Sequence, residues 1–169
     1  IDLKPANGEN GVKIIGNGIY IKRDVDTAFN ISTPVGELLN VFTNEIKDIA
    51  DLPSQCKHGY VVKIANSEAD EDDYYVKFIG KQKADGTYLD GDGVWEECPQ
   101  PGVKTTFDAA TMPIQLVRTS ATEFTVSEVD WDPRQIGDTT TVPEPSFIGK
   151  AINNLLFYRN RLIMVSDEN

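Results

Sequence analysis

The chain has 169 residues, 27 acidic against 16 basic side chains and a formal net charge of -11. A surface this acidic argues against gripping a nucleic acid, because that affinity comes from Lys and Arg displacing counterions from phosphates. Apolar residues make up 40%, which suits a packed globular fold, and no run approaches the ~20 apolar residues of a membrane helix.

Strand signals dominate from the start. Val12 to Ile15 and Ile19 to Lys22 flank Gly16-Asn17-Gly18, and an Asn-Gly step between β-branched runs predicts a tight hairpin. Phe29 to Thr33 alternates apolar and polar residues until Pro34 stops it. Between Glu37 and Ala50 the spacing fits helix or strand, and a strand near Leu38 to Thr43 is the reading adopted. Asp51 as a cap, Pro53 in a first turn and Gly59 as a stop predict one short helix.

Beyond it the chain reads as β structure over Tyr60 to Ala65, Tyr74 to Ile79, Val94 to Cys98, Ile114 to Arg118 and Phe124 to Val129. Trp131 to Phe147 holds Pro133, Pro143, Pro145, Gly137 and three consecutive threonines, which excludes a central strand or helix interior. Ile152 to Tyr158 and Arg161 to Val165 then form a second hairpin around Arg159-Asn160. The expected organisation is a β-rich domain over 1–130, a linker over 131–147 and the first hairpin of a second domain over 148–169. The fold class is mainly β, α+β at most, with antiparallel sheets and one or two short helices. The sequence begins at Ile1 without a secretory signal, and both ends read as cut from something longer.

Few constellations suggest chemistry. Cys56 and His58 would share a face of an extended segment, but no third orienting group or G-x-S-x-G elbow accompanies them. Cys56 and Cys98 lack metal-ligand spacing and read as two reduced thiols. Glu96 and Glu97 beside Trp95 resemble a sugar-site composition, yet neighbours on a strand face opposite ways and cannot act as an acid/base pair. Asp90, Asp92 and Glu96, in an Asp-Gly-rich stretch downstream of the acidic run Glu68 to Asp73, partly meet a calcium loop's spacing. Val94 stands where a further ligand belongs, and a solvated turn explains the composition better. No phosphate loop is present, and neither a catalytic residue, a metal nor a cofactor is expected.

One ordered series of segments is more specific. It runs through Asp51-Leu52-Pro53, Gly59 to Ile64, Tyr74 to Phe78, Val94-Trp95-Glu96-Glu97, Ala110 to Pro113 and Leu116-Val117-Arg118. It continues through Trp131, Arg134, Gly137-Asp138, Pro143, Pro145 to Gly149 and Phe157 to Leu162. Taken in order, these resemble the tail tubular protein B family of short-tailed phages and prophages, over roughly the last two thirds of the chain. Ile163 departs from the small or aromatic residue often found there.

The resemblance implies a virion tail protein several times longer than this chain. Its copies would form a ring below the portal and a tail tubular protein A-like adaptor, near tail fibre proteins. This is the nozzle through which DNA passes without specific binding, and no membrane insertion is implied. It also implies that the Arg159 to Leu162 hairpin opens a truncated β-propeller. The family supplies no catalytic residue to transfer. Trp95, Trp131, Arg134, Asp138 and Arg161 are the candidates for scaffold or subunit-interface roles, since tryptophan and arginine fill corners and also lead among interface hot spots. An acidic surface would serve a conduit wall by leaving DNA mobile, although charge for solubility alone explains it as well. The alternative function is a tail component that binds or hydrolyses host-surface glycans.

Overall fold

The computed structural model describes residues 12–22, 34, 40–65 and 73–167. Two compact units divide at Pro101/Gly102. The strand expected over Phe29 to Thr33, nearly all of the acidic run before Asp73, and Leu38 and Leu39 lie outside the described residues.

The first unit opens with the expected hairpin: β1 (Val12–Ile15) and β2 (Gly18–Ile21) pair antiparallel, with Ile15 opposite Gly18. Gly16 turns the chain at φ +56°, and a Cβ there would meet Gln55 Oε1 at 1.8 Å. A positive φ favours glycine at that turn.

A five-stranded sheet follows, in the order β3-β5-β6-β7-β4. β3 is Glu45–Ile46, β4 is Gln55–Cys56 and β5 is Val61–Ile64. β6 is Tyr74–Gln82 and β7 is Tyr88–Cys98. All pairs are antiparallel except β3 with β5, which run parallel. Alternation in β5 and β6 turns Val62, Ile64, Val76 and Phe78 inward, and Val62 and Phe78 are 0% exposed. Phe42, Ile46, Leu52, Tyr60, Tyr74 and Trp95 pack around the Val62, Ile64 and Val76 cluster. Burying side chains of this size contributes about 1.5–3 kcal/mol each.

Two local expectations are corrected. Asn40 to Thr43 is irregular, and the strand comes later, at Glu45–Ile46. The short helix after Asp51 does not form. Asp48 instead caps a 3-10 turn over Ile49–Asp51, and Gln55–Cys56 is a strand paired to Asp92 and Gly91. A two-turn helix carries the full nucleation cost for few hydrogen bonds, so a sheet ladder outcompetes it.

β7 changes partners along its length. Val94 to Cys98 pair with β6, Gly91 and Asp92 with β4, and Tyr88 returns to Gln82. The switch needs the facing pair Gly80 and Gly93: a Cβ on Gly80 would meet Leu89 O at 1.8 Å, and one on Gly93 would meet Ile79 O at 2.2 Å.

In the second unit a 3-10 turn, Ala109–Thr111, is capped by Asp108. Two separate hairpins follow, β8 (Ile114–Arg118) with β9 (Phe124–Glu128) and β10 (Ile152–Tyr158) with β11 (Arg161–Ser166). Arg159 and Asn160 sit at φ 47° and 62°, the two positive values that a two-residue reversed turn needs.

Candidate functional site

The partner switch in β7 gathers the first unit's polar residues. Asp90 accepts from the Lys13 ammonium of β1 and, at 2.8 Å, from the His58 amide. Asp92 accepts from Gln55 Nε2 at 2.6 Å and Lys81 Nζ at 2.9 Å. Burial opposes ionisation of Asp90, but the Lys13 bond and the His58 amide outweigh it and hold the carboxyl below its usual range. The Gln55 bond first, then Lys81, lowers Asp92. Glu96 is exposed, across the ladder from Lys77. The carboxylates proposed for calcium therefore face ammonium and amide donors, and no group of three or more His, Cys, Asp or Glu suited to a metal ion occurs among the described residues.

Cys56 and His58 are not arranged as nucleophile and base. The His58 ring stacks on Tyr88 at 4.2 Å, with its planes 2° apart, and its Nδ1 accepts the Gly80 amide at 3.2 Å. Burial pushes the Cys56 thiol up, which lowers its thiolate fraction. Glu96 and Glu97 face opposite sides of the sheet, opposite Lys77 and Val76. Trp95 packs edge-on to Phe78 at 5.2 Å and donates to Pro53 O at 2.8 Å, tying β7 to the segment before β4.

In the second unit Arg134 reaches Asp138 through the backbone carbonyl and not the carboxylate. Arg134 Nη1 donates to the carbonyls of Asp138, at 3.0 Å, and of Val142, while its own amide donates to Thr105 O at 2.6 Å. The Asp138 carboxylate accepts from the amides of Thr141 and Thr140 at 2.8 and 2.7 Å, which lowers its pKa. The result is a loop clasp. Gly137, at φ +76°, lies at its bend.

Trp131 meets Phe107 edge-on at 6.1 Å, Phe107 meets Phe147 at 5.9 Å, and the Trp131 indole N–H is buried without a hydrogen-bond partner among the described residues. An open cavity of about 650 Å³ lies between Phe107, Met112, Arg134, Val142 and Phe147. Arg161 is exposed beside the β10–β11 turn, opposite Tyr158. Trp131, Arg134 and Asp138 thus share one loop region, while Trp95 and Arg161 lie elsewhere. No motif pointed to Gly80 or Phe107; the Gly80–Gly93 pairing is visible only once the strand register is known.

The conspicuous side chains of this mainly β chain hold its own turns and strand junctions. The chain belongs to the bacteriophage nozzle protein family, whose model matches residues 3–169. It is also 34% identical over 134 residues to the tail tubular protein gp12 of Escherichia phage T7. That match covers 79% of this chain and 16% of the relative, so the chain spans about one sixth of that protein's length. Family membership makes it a structural component of a phage virion tail and bears out the resemblance read from the ordered segments.

Proposed function

We propose that the chain forms part of the wall of the tail conduit through which phage DNA leaves the virion, as a non-enzymatic element of a ring of identical subunits. The observation that carries this reading is the nozzle-family match across residues 3–169. The net charge of -11 supports a wall that DNA slides past without binding. The tail adaptor and the tail fibres are the partners this reading implies. Trp95, Trp131, Arg134, Asp138 and Arg161 act as scaffold or as subunit contacts.

The proline-rich stretch 131–147 is read as the passage to a second domain, with 148–169 opening a β-propeller. The exposed apolar side chains of β10 and β11 support this, because such a hairpin belongs inside a larger packed sheet. No feature of the site favours the glycan alternative.

The test uses the full-length parent protein with its adaptor. Closed rings in electron micrographs, together with blank glycan arrays, are the expected result. A persistent monomer, or a glycan hit, contradicts the reading. Replacing channel-facing carboxylates with amides should slow DNA ejection; unchanged ejection removes the lining role.

A further inference from the structure

The single histidine of the chain does in the first unit what a backbone carbonyl does elsewhere in the sheet. Phe78 sends its amide to Tyr60 O and accepts the Gly59 amide at its own carbonyl, both at 2.8 Å, so its backbone groups face the β5 side. Gly80, two residues further along β6, points its amide the same way. The backbone opposite has by then entered the turn between β4 and β5, and the acceptor is His58 Nδ1 at 3.2 Å. Gly80 is buried, so the imidazole lone pair closes a rung that is costly to leave open.

Three contacts set the position of the ring. Lys57 O accepts from the Tyr60 amide at 3.1 Å and Gly59 sits at φ +78°, which closes a β-turn with His58 at its corner. The His58 amide donates to Asp90 at 2.8 Å, and the ring lies flat on Tyr88, 4.2 Å away and 2° from parallel. Gly80 and Tyr88 stand at the base of an arm. Beyond the register shift between Gly80 and Gln82, β6 and β7 share only the pair Gln82–Tyr88 before the turn at 83–87. His58 therefore grips the base of that arm through both of its strands.

A rung of this kind depends on charge. Neutral imidazole accepts at Nδ1, whereas imidazolium carries a hydrogen on both nitrogens and sets a donor against the Gly80 donor. Imidazole changes charge between about pH 5 and 8, so the rung is present above that range and lost below it. Around the ring, Asp90 and Asp92 of β7 have carboxyls held below their usual range, while burial pushes Cys56 and Tyr60 above theirs. The ammonium groups of Lys13, Lys57 and Lys81 complete the surroundings from β1, the turn and β6. Neither those carboxyls nor the thiol change charge where the imidazole does.

We propose that His58 is a proton-operated clasp on the β6–β7 arm: neutral, it fixes the base of the arm, and as imidazolium it releases the Gly80 amide and frees residues 81–89 to move against the sheet. The inference concerns the first unit alone and does not rest on the conduit reading.

The experiment is residue-resolved NMR on the 169-residue chain from about pH 8 to about pH 5, following the His58 ring shifts and Gly80 amide exchange measured against that of Phe78. Gly80 protection relative to Phe78 should fall by roughly tenfold or more, the worth of one hydrogen bond, in step with the titration of the ring. His58→Asn, whose side chain accepts but does not titrate, should remove the pH dependence. His58→Phe, which keeps a ring for Tyr88 and loses the acceptor, should show the low ratio at every pH. Protected Val62 and Phe78 amides report that the first unit of each variant is folded. Three results overturn the proposal: a constant ratio in the unaltered chain while the ring titrates, a ring that stays neutral at the acid end, or the same fall in His58→Asn, which assigns the response to another group. The unaltered chain alone decides the first two.

Discussion

The two units use the same strand-forming residues to opposite ends. In the first, five strands enclose Val62 and Phe78 completely, and ties between distant segments, Lys13 to Asp90 and Gln55 to Asp92, lock the sheet's partner switch. In the second, the strands stop at two-stranded ladders many of whose apolar side chains stay exposed, from Leu162 at 37% to Phe157 at 81%. The first unit closes a core of its own. The second leaves the apolar side chains of its hairpins exposed among the described residues.

The sharpest way to break this contrast is to empty the first unit's core. Phe78→Ala should cost about 3–5 kcal/mol in chemical denaturation. A loss under about 1 kcal/mol would mean that this core does not hold the unit together. Gly93→Ala comes next: its Cβ would meet Ile79 O at 2.2 Å and the Phe78 ring at 2.7 Å. Overpacking of this kind costs about 1–3 kcal/mol, and the resulting fall in melting temperature is the readout.

Acid separates the units more gently. Asp90, Asp92 and Asp138 all have carboxyl pKa values lowered by folding. Their contributions are present above the unfolded value of about 4 and are lost as pH falls through the lower folded values. Below that point, chemical shifts should move across β1, β4 and β7 in the first unit. In the second they should move only around 138–142, because Asp138 is held by its neighbours Thr140 and Thr141. Uniform changes in both units would erase the distinction. The smallest effect belongs to Phe157→Ser, which should change the stability of this chain by no more than about 0.5 kcal/mol. In the parent protein the same substitution should cost several times more.

How much of this was legible in the sequence follows from what each signal depends on. Both predicted hairpins formed, around Gly16-Asn17 and Arg159-Asn160, because turn chemistry is local: the first needs a positive φ at Gly16 and the second at both Arg159 and Asn160. Tyr74 to Phe78 fell into place because its alternation matches a half-buried strand. Gln55–Cys56 was misread as helical because its strand identity comes entirely from Gly91 and Asp92, more than thirty residues away. The site was less visible than the fold. Arg134 and Asp138 were singled out for scaffold or interface roles, but the clasp they build through backbone carbonyls leaves no compositional trace. Trp95 was legible as packing, while its bond to Pro53 O depends on register.

The most direct test of the central claim is a reconstruction of the intact virion by electron microscopy. The account predicts density for the five-stranded sheet, repeated around the tail axis, in the wall of the channel below the portal. Finding that sheet as single copies at the tail periphery, away from the channel, would contradict it.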